Sequence, residues 1–414
     1  MSFAAATLTG LAPDGGLYVP EEVPQYSAAV KSSLGNMAFT DIAFETIRPW
    51  VQEDIPGPVL EEMVHSAYPF AAPLVQAGDR LVLELFHGPT AAFKDFGARF
   101  MARAFSYLRR GEEKPMRILV ATSGDTGGAV ADGFYGVEGI SVTVLYPRGR
   151  VSPLQERQIA GLNGNISALA VEGSFDDCQR LVKQAFGDAY LTKRLVLSSA
   201  NSINISRLIP QAIYYAAAAG QASNAVFCVP SGNFGNLTAG LYAKKMGAPV
   251  ESFIAATNIN KTVPDYLESG SYESRLSKAT LSNAMDVGAP SNFERMTAHF
   301  SLEEMRRLIL GSFVTDDETL KTISEVFSRW SYYLDPHTAV GWRAVDKLKE
   351  AGKLAVGNAH PIAVLSTAHP AKFAETVEPI TGPVPVPLSL QKAMERTVDV
   401  RTIPAELEAL KEYL

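Results

Sequence analysis

Two rhythms of apolar and polar positions alternate along most of this chain. Short, near-continuous runs of Val, Ile, Leu and Ala predict strands over 81–85, 117–121, 141–146, 166–171, 194–198, 225–229, 252–256 and 361–366. Between them, apolar residues spaced three and four apart predict helices over 98–110, 127–134, 153–161, 175–187 and 206–219. Strand and helix in strict turn imply an α/β fold, a mostly parallel sheet with helices on both faces. In such folds ligands sit beyond the carboxyl ends of the strands.

The rhythm is absent at the start. Gly10 to Pro20 is turn-rich, 39–52 and 59–67 read as helices, and 71–79 links into the first core strand. It breaks again over 258–335, where Asn260 to Asn292 is polar and turn-rich and 302–311 and 316–334 read as helices. A Pro-rich stretch (Pro383, Pro385, Pro387) leads to a last helix over 405–414. The expected organisation is an N-terminal, mostly helical portion over 1–75 and a core of two lobes over 76–390, the smaller lobe near 98–205. The segment 258–335 is inserted in that core and helps close the site, and 391–414 forms a C-terminal tail helix.

Composition narrows the functional classes. With 47% hydrophobic and 20% charged residues the chain reads as a globular protein. A net charge of −7 argues against a general nucleic-acid or anionic-membrane surface, while leaving room for a local basic pocket. Cys178 and Cys228 stand alone and the six histidines are scattered, which points to a reducing compartment and away from zinc or a disulfide framework. No apolar run approaches the ~20 residues that span a bilayer, and Met1 to Ala6 has no secretory pattern, so a cytoplasmic location is expected.

The candidate chemistry falls at strand ends. Phe86-His87-Gly88-Pro89-Thr90-Ala91-Ala92-Phe93-Lys94-Asp95-Phe96-Gly97 sets one lysine at the start of a helix, between aromatic rings. An ammonium there loses hydration, meets the positive end of the helix and gains no partner, so its pKa should fall, as imine chemistry requires. The alternative is a surface lysine in a first turn. Ser231-Gly232-Asn233-Phe234-Gly235-Asn236 follows a strand and opens a helix near Leu237, where backbone N–H groups can cup a phosphate. It has neither the Walker A ending nor Gly-x-Gly-x-x-Gly, and an ordinary turn is the alternative. Thr122-Ser123-Gly124-Asp125-Thr126-Gly127 repeats the topology and suits a carboxylate, unless Asp125 is only a cap. Asn201-Ser202-Ile203-Asn204-Ile205-Ser206-Arg207 offers amides, hydroxyls and a guanidinium to a second phosphate, unless Arg207 is a solvated helix residue. Thr367 places a neutral hydroxyl at the end of the last core strand, and Asp335-Pro336-His337-Thr338 makes a polar turn before a helix.

In their order and joint presence these stretches, with Gly15-Gly16-Leu17-Tyr18-Val19-Pro20 and Ser366 to Phe373, resemble the threonine synthases within the fold-type II pyridoxal-phosphate enzymes, the tryptophan synthase β-like group. The resemblance spans nearly the whole chain and implies two open, mostly parallel sheets. It implies pyridoxal 5'-phosphate as cofactor, linked to Lys94 and packed beside Phe93. Ser231, Gly232, Asn233, Phe234, Gly235 and Asn236 would hold the cofactor phosphate. Thr367 would face the ring nitrogen, and Asp125 would stand where relatives carry Asn beside the phenolic oxygen. Ser123, Gly124 and Thr126 would bind the substrate carboxylate. Thr122, Asn201, Ser202, Asn204 and Arg207 would bind its phosphate.

The implied reaction is conversion of O-phospho-L-homoserine and water to L-threonine and phosphate, by a monomer or homodimer without nucleic-acid or membrane partners. A phospholyase releasing a 2-oxo acid, or a catalytically silent ligand-binding protein, stands as the alternative. The pattern departs at its start, because such chains carry a further stretch, often with Tyr-x-Ser-Thr-Arg-Gly, before the equivalent of Met1.

Overall fold

A computed structural model describes residues 1–354 and 360–414. It contains two sheets. The strands are β1 (Leu74–Ala77), β2 (Arg80–Glu84), β3 (Met116–Ala121), β4 (Ile140–Pro147), β5 (Ile166–Glu172), β6 (Val196–Ser199), β7 (Ala225–Pro230), β8 (Val250–Thr257), β9 (Ile309–Phe313), β10 (Ile362–Ser366) and β11 (Arg401–Pro404). The larger sheet has six strands in the order β1-β2-β10-β7-β8-β9, the smaller five in the order β11-β5-β4-β3-β6. Among the described strands only the β1–β2 pair is antiparallel. Every residue of β7 is buried, which is why its sequence shows no alternation.

The helix Lys94–Leu108 is the spine between the sheets. Phe96, Phe100 and Ala104 pack into the core of the larger lobe, while Ala98, Met101, Ala102 and Phe105 pack into that of the smaller. Residues four apart share one helical face, so one helix is apolar on two sides and holds both lobes. The N-terminal portion is helical, with Phe3–Thr9, Ala28–Ser33, Phe39–Val51 and Gly57–Ala67. Ile42, Ala43, Ile47, Val51, Leu60 and Val64 from this portion join the larger core.

Three strands depart from the expectation. The linker 71–79 contains β1. The helix expected over 302–311 ends at Leu308 and continues as β9, parallel to β8, so the segment 258–335 also supplies an edge of the larger sheet. Ile309 and Ser312 are buried there, and a local window cannot distinguish an edge strand from the end of an apolar helix. The tail carries β11, parallel to β5, ahead of a shorter helix over Leu407–Lys411 than expected. Among the described residues no helix is long and apolar enough to cross a membrane.

Candidate active site

A cavity of about 680 Å³ opens where the carboxyl ends of β2, β3, β6, β7 and β10 converge. The turn before Lys94 is shaped by a buried carboxyl. Asp95 accepts the Thr90 N–H at 2.9 Å and the Thr90 hydroxyl at 2.5 Å. A Cβ on Gly88 would stand 2.3 Å from Asp95 Oδ2, so the turn needs glycine there. Burial pushes the Asp95 carboxyl up to about 7, against the hydrogen bonds from Thr90. The Phe93 N–H donates to Thr367 O at 2.9 Å, tying this turn to the end of β10. Lys94 is the first residue of its helix, with Nζ 5.0 Å from the centre of the Phe93 ring. Its pKa falls to about 8, chiefly through burial, with Arg207 and Lys372 adding repulsion. The expectation that it gains no partner fails in one respect, because the Asp125 carboxylate opposes the fall.

The turn after β7 is a cup of donors. Phe234 adopts a left-handed conformation (φ 58°) and the helix opens at Gly235, two residues earlier than expected. The backbone N–H groups of Gly232, Asn233, Phe234, Gly235, Asn236 and Leu237 meet no acceptor among the described residues, whereas Ser231 N–H donates to Ala256 O. A Cβ on Gly232 would stand 2.7 Å from Ala284 O. The Asn236 side-chain Oδ1 accepts the Tyr214 and Tyr215 hydroxyls, each at 2.7 Å, and its buried Nδ2 has no partner among the described residues. Asn233 is held by Ser202 Oγ and by the Ser291 N–H.

The turn after β3 has the same topology and a different chemistry. The Thr122 hydroxyl accepts from Gly124 N–H (3.0 Å) and Gly127 N–H (2.9 Å), and so stitches the turn. Gly124 takes φ 143°, and a Cβ there would lie 2.5 Å from Gln155. The N–H groups of Ser123, Asp125 and Thr126 meet no acceptor among the described residues. Asp125 begins the helix Asp125–Phe134 and is 4% exposed. Its Oδ1 receives Lys372 Nζ at 2.6 Å and Gln155 Nε2 at 3.0 Å. Burial alone would raise the Asp125 pKa, but the ammonium groups of Lys372 and Lys94 hold it well below the usual carboxylate range.

Beyond β6 the residues expected to bind the substrate phosphate are not placed alike. Asn204 does not line the cavity; it caps the helix Ile205–Leu208, and its Nδ2 donates to Thr7 O and Ser199 O. Asn201 lines the cavity, but its amide pairs with Ala121 N–H and O, and the Thr122 hydroxyl is spent as described. Their polar groups serve nearby backbone, a use that composition cannot distinguish from ligand binding. Arg207 is buried and donates from Nη1 to Ala200 O; among the described residues its Nε has no partner and no carboxylate lies within ion-pair distance. Burial lowers its pKa to about 10, with Asp95 opposing.

Of the remaining expected residues, Phe93, Lys94, Ser123, Asp125, Thr126, Ser202, Arg207, Ser231, Asn233, Phe234, Gly235, Asn236 and Thr367 line the cavity, and Gly124 and Gly232 shape the turns beside it. Residues the sequence reading missed are Lys372, Gln155 and His337. His337 Nε2 accepts the Ala284 N–H (3.2 Å) while Nδ1 contacts Asp335 (2.8 Å), so the inserted segment is held over the Gly232 cup. The stretches that carry Lys372 and His337 stand out in the sequence, but nothing in them announces a partner.

The sequence matches the pyridoxal-phosphate dependent enzyme family over residues 74–367, the threonine synthase N terminus over 1–68 and the threonine synthase C-terminal family over 338–414. It is 43% identical to the threonine synthase of Escherichia coli, covering 100% of this chain and 96% of the relative. The crystal structure of that protein superposes with a TM-score of 0.91. Pyridoxal-phosphate-bound threonine synthase from Brucella melitensis is 39% identical, with a TM-score of 0.91 over 100% of this chain and 96% of the other. Yeast threonine synthase is 38% identical over 91% of this chain and 86% of the relative.

Proposed function

The chain belongs to the threonine synthase family of pyridoxal-phosphate-dependent enzymes, and from that premise we propose that it converts O-phospho-L-homoserine and water to L-threonine and phosphate, with Lys94 as the cofactor-linking residue. The observation that carries this reading is the placement of Lys94, its pKa near 8, in one cavity with the six open N–H groups after β7. The residues fit pyridoxal phosphate. The cup offers a dianion six backbone donors and a helix N-terminus, Asn236 Nδ2 is a buried donor awaiting an acceptor, and Thr367 offers a neutral hydroxyl across the cavity. When bound, the cofactor supplies an electron sink for charge that develops beside the substrate's amino group.

The chain's own groups divide the remaining work. The open N–H groups of Ser123, Asp125 and Thr126 suit the substrate carboxylate. The Arg207 guanidinium, beside Lys94, and the Ser202 hydroxyl line the same cavity and suit the leaving phosphate. Lys94 Nζ, poised near neutrality, can both take and return a proton at Cα. A cytoplasmic location is consistent with Cys178 and Cys228, both buried and free.

The test is the absorbance of the purified protein before and after borohydride, then O-phosphohomoserine with both products assayed. A visible band fixed on Lys94 and equal phosphate and threonine are expected. Phosphate with a 2-oxo acid and no threonine would sink the reaction assigned here.

A further inference from the structure

Lys372 is as deeply buried as any side chain in the protein, and nothing in the reaction above uses it. It lies in the short turn Pro370–Phe373 after β10, on the larger lobe. Its Nζ reaches the smaller lobe at Asp125 Oδ1 (2.6 Å) and the Lys94 turn at Thr90 O (2.9 Å). The same two acceptors are bound a second time from the helix Pro153–Ala160, where Gln155 Nε2 donates to Asp125 (3.0 Å) and Gln158 Nε2 to Thr90 O (3.1 Å). Gln155 is fixed at its other end, Oε1 accepting the Ser152 N–H at 3.0 Å, and Ser152 Oγ donates to Lys372 O at 3.2 Å. Two of these donors, Lys372 Nζ and Gln155 Nε2, converge on Asp125 Oδ1. Its Oδ2 receives none from the described residues, and Asp125 shares the cavity wall with Lys94.

We propose that Lys372 is a positioning residue that keeps Asp125 as a fixed, ionised acceptor whose free oxygen faces the cavity, so that any polar group seated there must bring the proton. This rests on the reading of the cavity as the pyridoxal phosphate site. The warrant is electrostatic. An isolated carboxylate in this seam would take up a proton rather than stay charged, and a neutral acid would turn a donor toward the cavity. The ammonium at 2.6 Å removes that option, and the geometry leaves Oδ2 for use. The other charged groups around the pair are Lys94 on its helix, Asp95 beneath Thr90, Arg207 beside Lys94 and His369 on the turn of Lys372 itself.

The test reads the proton on Lys94 without turnover. The full-length chain, freed of cofactor, is mixed with pyridoxal phosphate, and the rate at which the visible band grows is followed against pH. The wild-type midpoint is expected near 8. In Lys372→Gln, Asp125 loses the nearer of its two ammonium groups, takes up a proton more readily and favours the charged amine less. The midpoint then falls by about one pH unit. Asp125→Asn gives a similar fall, Asp125→Asn with Lys372→Gln lies no lower than Asp125→Asn alone, and Lys372→Arg restores the wild-type value. A midpoint that is unchanged or raised in Lys372→Gln overturns the proposal, because a distant structural lysine would leave it unchanged and a lone repulsive charge would raise it. If Lys372→Gln fails to fold, Lys372→Arg and the neutral double variant decide: a double variant below Asp125→Asn, or no restoration by Arg, overturns it equally. A wild-type chain that forms no band fixed on Lys94 by borohydride fails the cofactor reading; a normal band with the wrong shifts fails this inference alone.

Discussion

The turns after β7 and β3 are alike in sequence and in topology. Each follows a buried parallel strand, carries glycines and opens a helix. They differ in what closes them. The β7 turn keeps six backbone donors open and has no charged side chain of its own, so it stays positive toward the cavity. The β3 turn puts a carboxylate at the first helical position, folds its own threonine hydroxyl back on itself and is neutralised by a lysine far along the chain. A cup of backbone donors is therefore a local property, set by glycine and helix direction. The charge of a turn is a tertiary property, set by whatever the fold brings to it.

The comparison can be tested, beginning with the residue that stands between the two turns. Lys94→Ala should remove the borohydride-fixed band and lower turnover by about 10³-fold, the scale of a lost proton-transfer group. Product assay at saturating cofactor measures it, and near-normal turnover would mean that neither turn serves a lysine. Next is Gly232→Val. The branched side chain would drive into Ala284 and Met285, and cofactor affinity should weaken roughly tenfold to hundredfold. A fluorescence titration with pyridoxal phosphate reads this, and unchanged affinity would remove the cup from the cofactor site.

The pH dependence sharpens the electrostatic half. Only the neutral amine attacks, so cofactor uptake should rise with pH and level off above about 8. A rise that continues toward the ordinary lysine value of about 10.4 would show that burial does not depress Lys94. The smallest effect on chemistry is expected from Thr122→Val. Two N–H groups lose their acceptor, costing about 1–3 kcal/mol in urea unfolding, while the KM for the phosphorylated substrate moves less than about threefold. A large rise in KM with unchanged stability would return Thr122 to the substrate site.

Much of the protein is legible in the chain, because its signals are local. Runs of branched apolar residues declare β3, β4, β5, β7 and β8, helical spacing declares the spine, and Lys94 is marked by the turn before it and the helix after it. Gly232 and Gly235 are visible as a donor cup for the same reason: they act through their own backbone.

What the sequence could not supply is the choice of partner. Asn201, Asn204 and Thr122 have the chemistry of phosphate ligands, and the fold spends them on Ala121, on Thr7 and Ser199, and on the turn itself. β9 and β11 become strands only because sheet edges lie beside them, and Lys372 meets Asp125 only because β10 and β3 end at the same cavity. Local periodicity and turn chemistry by themselves determined the elements, the donor cup and the lysine at the helix start. Tertiary structure alone decided which polar groups remain free for a ligand and which carboxylate stays ionised, since burial and pairing depend on residues that lie hundreds of positions apart.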